Sequence, residues 1–82
     1  MKQILYFTAT WCGPCKQFKP VIQRLSTELP IKIVDVDENP QMASTYNVKS
    51  IPTMIFISNR AEKVRLLGVQ GENSIRDAFN KL

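Results

Sequence analysis

Histidine is absent from this chain of 82 residues, and cysteine occurs only twice. The first absence removes the side chain that most often moves protons near neutral pH and most often binds transition metals. With so little cysteine, a zinc centre with its usual four protein ligands would need carboxylates or a second subunit to complete it. The same count argues against a secreted scaffold that compensates for a thin core with several disulfides. Long apolar stretches are missing too. The longest are four residues, Ile4 to Phe7 and Met54 to Ile57, against roughly 20 needed to span a bilayer, so no membrane is expected. The opening Met1-Lys2 runs into a short apolar segment without the longer hydrophobic region or small-residue cleavage site of a secretory signal. A cytoplasmic location is the expectation. The net charge of +4 is spread along the chain, with no basic run and no nucleic-acid motif, so nucleic acid is not an expected partner.

What is present describes a chain that folds. The apolar fraction of 44% is ordinary for a globular protein, and no low-complexity tract interrupts it. The length suits a single domain over residues 1–82, expected to be a monomer, with a modest core. Ile4 to Phe7 reads as a strand buried on both faces. Cys15, Phe18, Ile22, Leu25 and Leu29, at steps of three and four, form one face of a helix of about four turns. Pro20 removes the hydrogen bond that the Lys16 carbonyl would accept and predicts a kink, and Pro30 ends the helix. Ile31 to Asp37 reads as a β-branched strand, with Ile31 and Ile33 on one face and Val34 and Val36 on the other. Strand, helix, strand implies a right-handed crossover and a parallel pair. Asn39-Pro40 starts a short helix whose buried side is Met42, Ala43 and Tyr46. Met54 to Ile57 is a second doubly buried strand, Lys63 to Leu66 an edge strand, and Ile75, Ala78, Phe79 and Leu82 mark a last amphipathic helix. The expected fold is α/β: βαβαββα, a four-stranded mixed sheet with helices on both faces.

The cysteines sit where the first strand gives way to the first helix, in Thr10-Trp11-Cys12-Gly13-Pro14-Cys15-Lys16. As a staple they would close a loop of about four residues, for which chain entropy gives only about 2 kcal/mol. A redox pair is the reading that elimination favours. At a helix N-terminus a thiolate is stabilised by unpaired N–H groups and the positive end of the dipole. Moving a thiol from about 8.5 towards about 7 takes roughly 2 kcal/mol, near the upper end of what a helix terminus supplies. Cys12, at the exposed mouth of the helix, is therefore expected to be the nucleophile, and Cys15, one turn on and on the buried stripe, the resolving thiol. Pro14 withholds one N–H, which should limit the dipole's help and favour a reducing poise.

These residues resemble the active-site motif of the thioredoxin family, Trp11 to Lys16, followed by a helix with its proline at Pro20. Ile51-Pro52-Thr53 is similar to the family's cis-proline loop, and Gly68 falls where a family glycine follows the last strand. The resemblance runs from Gln3 to Leu82 and lacks the family's first strand and helix, leaving a core closer in size to glutaredoxin. It implies a protein-disulfide reductase that binds no cofactor beyond its own Cys12-Cys15 couple. Its implied partners are a thioredoxin reductase-type flavoprotein, or glutathione, as electron donor and disulfide-containing proteins as substrates. The implied substrate groove is bounded by Trp11, Gly13, Pro14, Ile51 and Pro52. A glutathione-coupled protein and a binding module with incidental redox activity are the competing readings. Gly68-Val69-Gln70-Gly71-Glu72 matches a glutathione site only loosely.

Two departures from the family's pattern stand out. Its buried aspartate is replaced by Tyr6, and the lysine partner by Ile33. Candidates for the proton of Cys15 are then water, Lys16, Asp35 and Asp37. By resemblance to thioredoxins whose strand ends in a similar Val34-Asp35-Val36-Asp37, Asp37 is also expected to hydrogen-bond the Trp11 indole. Tyr6 itself reads mainly as packing. Lys16, Lys19 and Lys49 are candidates to ring the active-site face and favour acidic partners. The turn at Asn59-Arg60 lacks the glycine common after such an asparagine.

Overall fold

A computed structural model describes residues 1–82. The elements follow the expected order: β1 (Lys2–Thr8), α1 (Gly13–Leu25), β2 (Ile31–Asp35), α2 (Pro40–Thr45), β3 (Thr53–Ser58), β4 (Ala61–Leu67) and α3 (Glu72–Asn80). The strands form one mixed sheet in the order β2-β1-β3-β4. β1 runs parallel to β2, with Ile4 opposite Ile31 and Phe7 opposite Val34. It runs antiparallel to β3, with Ile4 opposite Phe56 and Tyr6 opposite Met54.

The two central strands are covered on both sides, which is why they read as continuous apolar runs rather than alternating ones. On one face Ile4, Tyr6, Met54 and Phe56 pack with Phe18, Ile22 and Leu25 of α1 and Ile75 of α3. On the other, Leu5, Phe7, Val34 and Ile55 pack beneath Met42 and Tyr46, from α2 and its end. α2 is held by β4: the Arg65 guanidinium donates to the Tyr46 carbonyl at 2.7 Å and to both carboxylate oxygens of Glu62. No helix is long and apolar enough to cross a membrane.

The ends of α1 and β2 and the cap of α2 differ from the expectation. α1 runs through Pro20 but stops at Leu25, a turn before Leu29. There the Ser26 hydroxyl donates to the Ile22 carbonyl at 2.8 Å and the Thr27 hydroxyl to the Arg24 carbonyl at 2.7 Å. Side chains that compete for backbone groups in this way end helices. Leu29 nonetheless packs against the core, so its spacing extended the apolar stripe past the helix. β2 ends at Asp35 rather than Asp37, because the Asp35 carboxylate accepts from the backbone N–H groups of Asp37 and Glu38 at 2.8 and 3.2 Å and turns the chain. Asn39 precedes α2 but makes no side-chain cap; its amide donates to the Asp35 carbonyl instead. The β3–β4 turn takes positive φ at Asn59 (53°) and at Arg60 (68°), the type I′ geometry that matches the sheet's twist.

Candidate active site

β1 delivers the chain to the cysteines, and α1 takes it away. Cys12 is the N-cap of α1, with extended backbone (φ −83°, ψ 110°). Its Sγ accepts the Cys15 backbone N–H at 3.2 Å. Its carbonyl accepts from the Lys16 N–H at 3.2 Å. A cap normally uses a hydroxyl or carboxylate oxygen for this role; here a sulfur satisfies one of the helix's free donors. Pro14 lies in the first turn, where its missing N–H would have had no partner within the helix.

Cys12 and Cys15 are joined by a disulfide, with Cα atoms 5.2 Å apart. Contrary to the expectation of an exposed Cys12, the two are buried nearly alike, at 5% and 3% exposure. The cover comes from far along the chain. Ile51 packs on the cluster of Ala9, Cys12 and Cys15, and the Ile51 carbonyl lies 4.0 Å from Cys12 Sγ. The asymmetry between the sulfurs is therefore one of position, helix cap against first-turn interior, rather than of exposure.

The Ile51–Pro52 peptide is cis, and Pro52 is buried. Its loop is held by the Thr53 hydroxyl donating to the Ser50 carbonyl at 2.6 Å. Gly68 donates its N–H to the Pro52 carbonyl at 2.8 Å, and a φ of +81° at Gly68 explains the glycine, since a side chain there would be strained. Gly13 and Pro14 are exposed. Trp11 is 65% exposed, its indole N–H donating to Asp37 Oδ2 at 2.7 Å.

A cavity of about 500 Å³ adjoins Cys15, walled among others by Tyr6, Lys16, Lys19, Ile33, Asp35 and Glu38. Of the proton-transfer candidates, Lys16 and Asp35 reach this wall, while Asp37 is exposed and engaged with the indole. Glu38 was not foreseen; the signal for it is the Asp35 side-chain turn, which fixes the Glu38 backbone. Lys19 lies with Lys16 at the cavity, whereas Lys49 is exposed beside the Pro52 loop. Burial pushes the Tyr6 phenol up, and Thr8, next along the same face of β1, offsets part of this, although no hydrogen bond forms between the two.

A disulfide across so short a loop does little for stability, while its place at a helix N-terminus is what stabilises a leaving or attacking thiolate. Fold and site together define a thiol–disulfide oxidoreductase. The family model described as thioredoxin matches residues 1–81. A thioredoxin of Rickettsia felis is 42% identical over 79 residues, covering 92% of this chain and 75% of the relative. One of Staphylococcus aureus is 37% identical, covering 96% and 80%. Among solved structures, thioredoxins of Fasciola hepatica and Schistosoma mansoni superpose with TM-scores of 0.88 and 0.89. Both are 32% identical, covering 98% and 99% of this chain and 79% and 76% of theirs. The chain belongs to the thioredoxin family. Its activity is thiol–disulfide exchange and the reduction of protein disulfides, and in this family a redox-active disulfide does the work without a prosthetic group.

Proposed function

We propose that the chain acts as one domain, as a cytoplasmic monomeric reductant of protein disulfides in which Cys12 attacks and Cys15 resolves. The observation that carries this is the Cys12 sulfur serving as the cap of α1. In the reduced protein the Cys12 thiolate displaces one sulfur of a substrate disulfide, forming a mixed disulfide and releasing a thiolate that takes up a proton. Cys15, one turn on, gives up its proton and attacks Cys12 Sγ. That step re-forms the Cys12–Cys15 bond and releases the second substrate thiolate, so two electrons pass to the substrate. The exposed Trp11, Gly13 and Pro14 and the backbone at Ile51 and Pro52 are the surface on which an extended substrate segment would lie. Asp37 is assigned to orienting the indole rather than to proton transfer, while Lys16 stays a tuning charge at the Cys15 cavity.

No bound cofactor is required by this cycle. The electron donor is proposed to be a thioredoxin reductase-type flavoprotein. The test offers the oxidised protein either NADPH with thioredoxin reductase or glutathione with glutathione reductase, and follows reduction of an insulin-type disulfide. Turnover with the first system alone is expected. Turnover with glutathione alone would reassign the donor, and turnover with neither would point to a binding module, whose role would survive replacement of both cysteines by serine.

A further inference from the structure

Only one buried side-chain oxygen or nitrogen in the molecule lacks a hydrogen-bond partner within the protein, the Tyr6 hydroxyl. Tyr6 is 3% exposed, its ring set edge-on against Phe18 at 5.7 Å between centroids. Buried hydroxyls are nearly always partnered, because leaving one unpaired forfeits the hydrogen bonds it had in water. Tyr6 is a wall residue of the cavity that Cys15 also lines. In the oxidised protein the Cys15 sulfur is bonded to Cys12 and bears no charge. Opening that bond creates, on the same cavity, a sulfur that must lose a proton to act and that can then accept a strong hydrogen bond.

We propose that Tyr6 is a positioning residue for Cys15: its hydroxyl donates a hydrogen bond to the Cys15 sulfur when the disulfide is open, and the Cys15 proton leaves to solvent through the shared cavity. This rests on the reading of Cys15 as the resolving thiol. The phenol suits a donor rather than a base, since burial pushes it up and keeps the O–H intact. The charged groups on the cavity wall are Lys16 and Lys19 from α1, Asp35 from the end of β2, and Glu38 from the turn after it. Two cations favour a thiolate and two carboxylates oppose it, so net wall charge does not select the state of Cys15. A directed donor does. The route to solvent is short, because the cavity lies at the open β2 edge, where Ile33 is 53% exposed. The balanced step is the second half of the cycle: Cys15 loses its proton to cavity water, its sulfur attacks Cys12 Sγ, the Cys12–substrate bond breaks, and the departing thiolate is protonated from solvent.

The experiment mixes the reduced protein with an aromatic disulfide reagent whose released thiolate absorbs in the visible, so that attack by Cys12 and resolution by Cys15 appear as successive releases. Tyr6→Phe is expected to leave the first phase unchanged, slow the second about tenfold at neutral pH, as loss of a hydrogen bond to a charged group implies, and move its pH midpoint upward. Equal second phases across pH, or slowing of both phases together, overturns the proposal. Should Tyr6→Phe not fold, fluorotyrosine incorporation serves instead: a stronger donor at position 6 should move the second-phase midpoint downward, also in a Tyr46→Phe background, and an unmoved midpoint overturns the proposal. The underlying reading is checked separately. Cys15→Ser should give a single release, and a full double release from it would refute the assignment of Cys15, whatever Tyr6 does.

Discussion

Replacing Tyr6 with phenylalanine removes one oxygen from the core and should affect the two redox states in opposite ways. In the oxidised protein that oxygen is buried and has no partner within the protein, a condition that costs about 1–3 kcal/mol where water does not supply one. The Phe18 contact is made by the ring and survives the change. Taking the low end, because a cavity adjoins the site, the oxidised variant gains about 1 kcal/mol, equivalent to about 4–8 °C in melting temperature for a domain of this size. In the reduced protein the hydroxyl has Cys15 to bond, so its removal loses roughly the 1 kcal/mol that an ordinary hydrogen bond contributes. The thermodynamic cycle then favours the disulfide by about 2 kcal/mol. With about 30 mV for each 1.4 kcal/mol of a two-electron couple, the variant's potential falls by roughly 40 mV. Circular dichroism melts with and without dithiothreitol give the stabilities, and equilibration in defined thiol–disulfide buffers gives the potential. Equal stabilisation of both states would show that the hydroxyl is merely a misplaced polar atom. A destabilised oxidised variant would show that it has a partner already.

Three further outcomes test other parts of the structure. Asp37→Asn, which keeps an oxygen for the Trp11 indole, should leave the pH profile of disulfide reduction unchanged, while Asp37→Ala should alter the fluorescence of this sole tryptophan and slow reduction severalfold; a flattened profile in the Asn variant would return Asp37 to the proton path. Replacing Lys16, Lys19 and Lys49 with glutamine should slow reduction of an acidic protein substrate and weaken its dependence on salt, measured as rates between low and moderate ionic strength; identical salt slopes would leave these residues as solubilising charge. Arg60→Gly should stabilise the protein by about 1 kcal/mol in urea unfolding, because the φ of 68° at Arg60 lies where side chains are strained and glycine is not; an unchanged midpoint would mean that the arginine side chain earns its place by a contact.

Most of the fold was legible because its elements announce themselves locally. The unbroken runs at Ile4–Phe7 and Met54–Ile57 and the spacing of Cys15, Phe18, Ile22 and Leu25 place the central strands and α1 without knowledge of their neighbours. The errors arose where an apolar pattern outlasts its element. Leu29 packs on the core from a turn, and Val36 packs against both the Leu5–Phe7 cluster and the cysteines after β2 has ended. In the site, the cap position of Cys12 followed from the strand-to-helix junction. Its burial did not, because the cover arrives from Ile51, thirty-nine residues away. Nor could the sequence bring Glu38 and Lys19 to one cavity with Tyr6, since that depends on how α1 lies across the β1–β2 pair. The positive φ at Arg60 was hidden for a different reason, as the residue usually found there is glycine.

The bond from the Cys15 amide to the Cys12 sulfur makes the first turn of α1 sensitive to the state of the reaction. On the proposed assignment of Cys12 as the attacking thiol, its thiolate accepts that amide more strongly than a neutral disulfide sulfur does. The start of the helix then tightens on reduction and loosens when either disulfide forms. Amide hydrogen exchange at Cys15 should therefore be slower in the reduced protein, with Cys12 as thiolate, than in the oxidised one.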